Sequence, residues 1–357
     1  MNFQLTKEQE FVQKMVREFA KTEVEPLAAE IDQEHRFPVE TVEKMAKYGL
    51  LGIPFPTKYG GMGGDEVSYS ITVSELAKVC ASTSVIVSAH TSLCCWPIYK
   101  YGTEDQKMKY LPELLSGKKL GAFGLTEPNA GTDASGQQTR AELDGDEWVL
   151  NGAKCFITNG GYAEVFVVMA MTDKSKGNHG ISAFIVEKND PGFSIGKTED
   201  KMGICASSTT ELIFQNCRIP KDRLLGGLGK GFKVAMQTLD GGRIGIASQA
   251  LGIAEGALEV TIEYMKQRKQ FGKKLAQMQA LQFVVADLAT KVEAAKLLVL
   301  KSAFCEDAGL PYGVPAAMAK LFAAETAMEV TTKCVQLHGG YGYTKDYPVE
   351  RMMRDAK

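Results

Sequence analysis

The spacing of apolar residues changes character twice along the chain. Up to about residue 115 it is helical. Thr6 is placed to cap a helix that starts Lys7-Glu8-Gln9, and Phe11, Met15, Val16 and Phe19 recur at helical spacing behind it. Pro38 and Gly49 bracket a second helix, and Tyr59-Gly60-Gly61-Met62-Gly63-Gly64 is a loop by composition. Ser68 to Ala89 reads as one long helix whose small residues permit close packing, and Thr103 to Leu115 adds another. Near residue 120 the runs become short and β-rich: Trp148-Val149-Leu150, Val165 to Met169, Ile181 to Val186 and Thr210 to Phe214. Asp144-Gly145-Asp146, Asn151-Gly152, Asn178-His179-Gly180 and Asn189-Asp190-Pro191-Gly192 separate them as turns, which predicts hairpins rather than βαβ units. From about Gly231 the helical period returns. Leu281, Val284, Val285, Leu288, Val292, Ala295, Leu298 and Val299 form a stripe, Pro315 suits a helix first turn, and Gly339 suits a helix stop. The expected organisation is therefore α+β: an all-α domain over 1–119, a β domain over 120–229 and a second helical domain over 230–357.

Composition narrows the function classes. The chain has 357 residues, 45% hydrophobic and 24% charged, with a net charge of −2, which is ordinary for a globular protein and gives no basic stripe for nucleic acid. No apolar run approaches the roughly 20 residues of a membrane span. Met1 to Glu8 has neither a basic-then-apolar leader nor the Arg-rich character of a transit peptide, so a cytoplasmic, prokaryotic protein is expected. The 8 cysteines show no Cys-x-x-Cys, and the 4 histidines are scattered, so buried reduced thiols and no structural metal are expected.

The stretch Phe123-Gly124-Leu125-Thr126-Glu127-Pro128-Asn129-Ala130-Gly131-Thr132-Asp133 concentrates hydroxyls and turn formers between apolar flanks. It is either a plain surface turn or a set of exposed N–H groups suited to an anion or a polar heteroaromatic ring. Gly226-Gly227-Leu228-Gly229-Lys230-Gly231 lacks the Ser or Thr that a phosphate-binding Gly-Lys loop requires, so it reads as a turn between domains. Gly339-Gly340-Tyr341-Gly342 falls short of a dinucleotide fingerprint and reads as a helix cap. Asp240-Gly241-Gly242-Arg243 sits in a helical stretch although each Gly costs about 1 kcal/mol there relative to Ala. Either a ligand approaches the backbone, or the helix simply starts there.

Taken with Lys154-Cys155-Phe156-Ile157-Thr158-Asn159-Gly160-Gly161, Arg268-Lys269-Gln270-Phe271-Gly272, Gln336-Leu337-His338-Gly339-Gly340-Tyr341-Gly342-Tyr343 and Arg354-Asp355-Ala356-Lys357, the first stretch resembles the acyl-CoA dehydrogenase flavoprotein family from Met1 to Lys357. Its wording is most similar to the bacterial short-chain, butyryl-CoA type. The resemblance implies a helical domain, a central β-barrel and a C-terminal four-helix bundle around FAD. It implies that Phe123, Leu125, Thr126, Gly131, Phe156, Ile157 and Thr158 meet the flavin, with Phe156 where many relatives have Trp. Thr132 would lie between FAD and the thioester. Arg268, Gln270 and Phe271 would reach a neighbouring subunit's FAD, with Arg268 on a phosphate, and Gln279, Gln336, Gly339 and Gly340 would touch the same cofactor. Asp240 and Arg243 would hold the acyl-CoA.

The implied reaction is α,β-dehydrogenation of a butyryl-CoA-like thioester to the trans-2-enoyl-CoA, with electrons passed to an electron-transferring flavoprotein by a homotetramer. It needs a base for the α-proton, an acceptor for the β-hydride and polarisation of the thioester oxygen. Here the chain departs from the pattern. The family's Tyr-Glu-Gly-Thr-type segment, which carries the base in most relatives, is not found and would follow shortly after Lys357. The helix position used instead by isovaleryl and long-chain types is Gly242, and the family gives Glu127 no base role. The expectation is a chain that binds FAD and acyl-CoA but turns over poorly without that segment. The alternatives are a branched-chain or dicarboxylic acyl-CoA dehydrogenase, an oxidase, or a non-catalytic flavin-binding protein.

Overall fold

A computed structural model describes residues 4–357; Met1, Asn2 and Phe3, part of the leader reading and of the first expected domain, lie outside the described residues. The first part is helical: α1 (Lys7–Phe19), α2 (Ala28–Gln33), α3 (Val39–Lys47), α4 (Glu66–Ala77), α5 (Ala81–Ser88), α6 (Trp96–Tyr101) and α7 (Glu104–Leu115). Thr6 and Thr103 each close a capping box, with Gln9 and Gln106, which satisfies the first free N–H groups of α1 and α7. Val16 and Phe19 of α1 are buried, but Phe11, expected on the same face, is 67% exposed.

The single helix expected over Ser68–Ala89 is broken. Cys80 is extended (φ −154°, ψ 105°), and the chain re-enters helix as α5, then passes through a π-helical stretch, Ala89–Cys95, into α6. Tertiary contacts outweigh the local preference. The Val79 carbonyl accepts a hydrogen bond from Arg351 at 2.8 Å, and Gly256 packs directly onto the Lys78 carbonyl.

The middle part is one eight-stranded sheet: β1 (Gly121–Gly124), β2 (Arg140–Asp144), β3 (Glu147–Thr158), β4 (Val165–Met171), β5 (Ile181–Glu187), β6 (Phe193–Thr198), β7 (Thr209–Pro220) and β8 (Leu224–Leu225). The order is β6-β7-β3-β2-β4-β5-β8, and β1 joins parallel to β4. Sequential pairs β2–β3, β4–β5 and β6–β7 are antiparallel. The β3–β7 ladder shifts register twice, between Leu150 and Gly152 and between Lys154 and Ile157. Such bulges bend a strand and re-aim its side chains.

The last part holds α8 (Gly231–Gln267), a two-stranded ribbon of β9 (Lys269–Gln270) and β10 (Lys273–Lys274), α9 (Gln279–Asp307), α10 (Gly313–His338) and α11 (Val349–Ala356). The expected α9 stripe faces inward through Leu288, Val292, Ala295 and Val299, into an alanine-rich core shared with α8 and α10. Gly252 of α8 lies where a Cβ would strike the Ser74 carbonyl, so α8 and α4 approach at backbone distance. Gly241 and Gly242 are well inside α8, which removes helix initiation as their explanation. A Cβ at Gly242 would meet Leu93 at 2.7 Å; one at Gly241 has only the Glu306 carboxylate, at 4.0 Å. No helix among the described residues is long and apolar enough to cross a membrane.

Candidate active site

The stretch after β1 is a loop pinned at its root. Glu127 and Ala130 exchange backbone hydrogen bonds of 3.2 and 3.0 Å, which turns Pro128 and Asn129 outward. The Cys155 N–H donates to the Thr126 carbonyl at 2.9 Å, laying the loop against β3. Beneath it lies a pair that sequence reasoning left without a role. Lys154 is fully buried, and its ammonium donates to Glu127 Oε1 (2.7 Å), the Leu125 carbonyl (3.1 Å) and Gln137 Oε1 (3.1 Å). Glu127 also accepts from the N–H groups of Gln138 (2.5 Å) and Thr139 (3.0 Å). Burial raises the Glu127 carboxyl, but Lys154 and the Gln138 N–H outweigh it and hold it below the usual carboxylate range. Burial brings Lys154 down to about 8 against the pull of Glu127. The signal for this pair in the sequence is a Lys flanked by apolar residues on a β-rich run.

The second bulge of β3 decides what the loop presents. Phe156 has φ +60°, which a side chain with a Cβ adopts rarely, and its ring stands 63% exposed. Ile157 turns into the β core, and Thr158 is half-buried. Thr126, Phe156 and Thr158 thus share the rim that joins the loop to β3. Phe123 is half-buried, Leu125 is buried, and Gly131 and Thr132 are exposed on the outer part of the loop.

A second group of expected residues meets elsewhere. Arg268, Gln270, Gln336, Gly339 and Gly340 line a cavity of about 530 Å³ between the end of α8, the ribbon and the end of α10. The Arg268 guanidinium lies over the Tyr341 ring, 5.4 Å from its centroid. Tyr264 stacks on His338 at 4.2 Å and donates to its carbonyl at 3.2 Å. His338 Nδ1 contacts the Cys334 carbonyl at 2.9 Å, so Nδ1 carries the proton and Nε2 is a buried acceptor without a partner among the described residues. Burial also holds the His338 ring neutral by lowering its pKa, against the Cys334 hydrogen bond. A Cβ at Gly339 or Gly340 would meet nothing within 4 Å. Phe271 and Gly272 both have positive φ, forming the tight turn of the ribbon, and leave the Phe271 ring 93% exposed. Phe271 and Gln279 are not among the cavity walls, and neither is any residue of the 121–158 rim. On the third group, Asp240 and Arg243 form an ion pair one helical turn apart on α8.

The two groups suit the two ends of a flavin dinucleotide. A protruding aromatic ring and two threonines meet at one rim. At the other lie an exposed arginine, an open glycine floor and an orphaned buried acceptor. This pairing of a helical–β–helical scaffold with a split flavin-type site defines a flavoprotein class. Residues 6–118 match the acyl-CoA dehydrogenase N-terminal domain, 122–217 its middle domain and 229–357 its C-terminal domain, so the chain belongs to the acyl-CoA dehydrogenase family of FAD-dependent enzymes. It is 62% identical to a short-chain-specific acyl-CoA dehydrogenase of Clostridium acetobutylicum, over 100% of this chain and 94% of that protein. It resembles the butyryl-CoA dehydrogenase structure from Megasphaera elsdenii with a TM-score of 0.98 and 53% identity, covering 100% of this chain and 94% of that one. A chain from a structure concerning the electron transferring flavoprotein of Acidaminococcus fermentans and flavin-based electron bifurcation matches with a TM-score of 0.99 and 56% identity, again over 100% and 94%.

Proposed function

We propose that the chain is a short-chain acyl-CoA dehydrogenase that converts a butyryl-CoA-like thioester to the trans-2-enoyl-CoA and passes the electrons to an electron-transferring flavoprotein. The observation that carries this reading is the rim where the Cys155–Thr126 hydrogen bond sets Thr126 beside β3, with Phe156 lifted out by the bulge. The short-chain and butyryl-CoA relatives supply the substrate class, and the Acidaminococcus structure supplies the electron acceptor.

FAD, when bound, supplies the hydride acceptor that no side chain provides. Thr126 and Thr158 donate hydroxyl hydrogen bonds to the flavin edge, and Phe156 and Phe123 pack on the ring. Leu125 and Ile157 contribute backbone, because their side chains are buried. Gly131 and Thr132 close the loop over the cofactor, with Thr132 facing the thioester. Arg268 pairs a phosphate, while Gln270, Phe271, Gln279, Gln336, Gly339 and Gly340 bind the far end of a neighbouring subunit's FAD. Asp240 and Arg243 exchange their mutual ion pair for contacts with acyl-CoA. Glu127 does not act as the base, since Lys154 and two N–H groups occupy its carboxylate. Gly242 has no side chain, so we assign the base to the glutamate of a Tyr-Glu-Gly-Thr-type segment, as the family resemblance implies.

A homotetramer fits the apolar side chains left exposed on the outer helices: Phe283, Leu297 and Phe304 on α9, and Val314, Met318 and Leu321 on α10. All eight cysteines are free and buried, which suits a reducing cytoplasm. The test is anaerobic addition of butyryl-CoA to mass-verified, FAD-loaded protein, with and without a Tyr-Glu-Gly-Thr-type segment after Lys357. Bleaching of the flavin only with the segment is the expected result. A spectral shift without bleaching in both forms would leave substrate binding and remove the assigned base. No spectral response in either form would sink the substrate reading.

A further inference from the structure

A second cavity, of about 360 Å³, lies under the N-terminus of α4, against α6, α8 and the α9–α10 connection. Its volume falls in the range of small-molecule sites, roughly 300–1,000 Å³. Its walls share no residue with the flavin rim or with the Arg268 cavity.

Four acids gather around it, and two of them have partners. Asp65 caps α4 through the Ser68 N–H (2.7 Å) and accepts from Gln9 (2.8 Å). Asp307 accepts from the N–H groups of Glu66 (2.7 Å) and Val67 (3.1 Å). The other two line the cavity largely unsatisfied. Glu66 is only 8% exposed, and its carboxylate makes no hydrogen bond or ion pair among the described residues. Glu306 accepts from the Trp96 indole N–H at 3.0 Å through Oε1, while Oε2 is buried without a partner. Carboxylate oxygens left buried without a partner, as at Glu66 and Glu306 Oε2, cost free energy unless something neutralises them. Lys100 stands exposed at the rim and makes no ion pair with either acid among the described residues, and Asp240, nearby on α8, is paired with Arg243.

Four aromatic side chains, Phe55, Trp96, Tyr99 and Tyr312, share the walls with Pro54, Gln237, Gly309 and Leu310. Phe55 and Tyr99 meet edge to face, 5.7 Å between centroids. Ring faces beside unpaired carboxylates are the arrangement that attracts an organic cation. No group of His, Cys, Asp or Glu among the described residues is arranged to hold a metal ion. We propose that this cavity binds a small primary alkylammonium ion, with Glu66 and Glu306 taking its N–H donors and the aromatic walls taking its alkyl part. The inference stands apart from the flavin reading.

Proton occupancy gives the site a pH signature. Burial pushes the Glu306 carboxyl up to about 7, with Asp307 adding to the rise and the Trp96 hydrogen bond, the neighbouring Tyr312 hydroxyl and Lys100 opposing it. Burial, then the charges of Glu306, Asp307 and Asp65, push Glu66 well above its ordinary value. A bound ammonium requires the ionised forms, so affinity falls as pH drops through about 7.

The probe is n-butylammonium chloride added to the FAD-loaded full chain near pH 8. Binding is read by titration calorimetry and by fluorescence of Trp96, with 1-butanol and sodium chloride as controls. Saturable binding is expected for the ammonium alone, about tenfold weaker in Glu306→Gln and in Glu66→Gln. Both substitutions are isosteric and relieve a buried charge, so each also raises the melting temperature without ligand. If either variant folds poorly, the other still decides. Absence of saturable ammonium binding to the wild type, or binding by both glutamine variants as tight as by the wild type, overturns the proposal.

Discussion

At the scale of single residues, Lys154 carries the most consequence. Its ammonium joins the Leu125 carbonyl, Glu127 and Gln137, and so holds both ends of the loop that bears Thr126 and Thr132. Lys154→Met leaves the Glu127 carboxylate buried without its cation, at a cost of about 3–5 kcal/mol. Denaturant unfolding should show that loss, and gel filtration should show FAD leaving the protein. Adding Glu127→Gln should recover part of the stability, because the uncompensated charge is then gone. Arg268 is the opposite case. It is exposed and its guanidinium lies over the Tyr341 ring face without an ion pair among the described residues, so Arg268→Ala should leave unfolding almost unchanged. Its effect should appear as FAD affinity weaker by about tenfold, the scale of one charge-assisted contact. Equal flavin affinity in the two proteins would remove Arg268 from the cofactor site.

At the scale of elements, what the chain announces locally is what the structure holds. The Thr6 and Thr103 capping boxes, the α9 stripe and the β4 and β5 runs depend on neighbours in sequence, and they form where the pattern places them. The break at Cys80 depends on Arg351 and Gly256, which are far away in sequence, so no local pattern marks it. The Phe156 bulge is equally illegible, since its register is fixed by β7 across the ladder. Motif wording therefore nominates residues for a site, but says nothing of how Lys154 and the bulge hold the loop against β3. Gly241 sits between these cases. A Cβ there would meet only the Glu306 carboxylate, at 4.0 Å, so packing does not demand glycine. Gly241→Ala should therefore stabilise α8, by at most about 1 kcal/mol. If ligand approach is what keeps the position small, the same variant should raise KM for acyl-CoA. A higher melting temperature with KM unchanged would remove the ligand explanation.

At the scale of the whole molecule, α11 is the tie between the three parts. Arg354 reaches Asp32 at 2.7 Å in the N-terminal helices, the Met202 carbonyl at 3.1 Å in the β region and Glu350 on its own helix. Asp355 accepts from the Ile204 N–H at 2.6 Å, and Arg351 donates to the Val79 carbonyl. Burial pushes the Asp355 carboxyl up to about 6 against the Ile204 hydrogen bond and Arg351. An acid whose folded pKa is raised stabilises the fold fully below its unfolded value and loses that contribution as pH rises through the folded value. Asp355, and Glu306 with its carboxyl up to about 7, both act in this direction. The melting temperature should therefore decline as pH rises from about 4 to about 7. Asp355→Asn keeps an oxygen for the Ile204 N–H and removes the titration, so it should flatten the part of the decline that ends near pH 6, and Glu306→Gln the part that ends near pH 7. Arg354→Ala tests the tie itself. It removes the side chain that spans Asp32, Met202 and Glu350, and the helical and β parts should then melt in separate steps under calorimetry. A single cooperative transition at a lower temperature would instead mean that the packed cores, not α11, make the three parts unfold together.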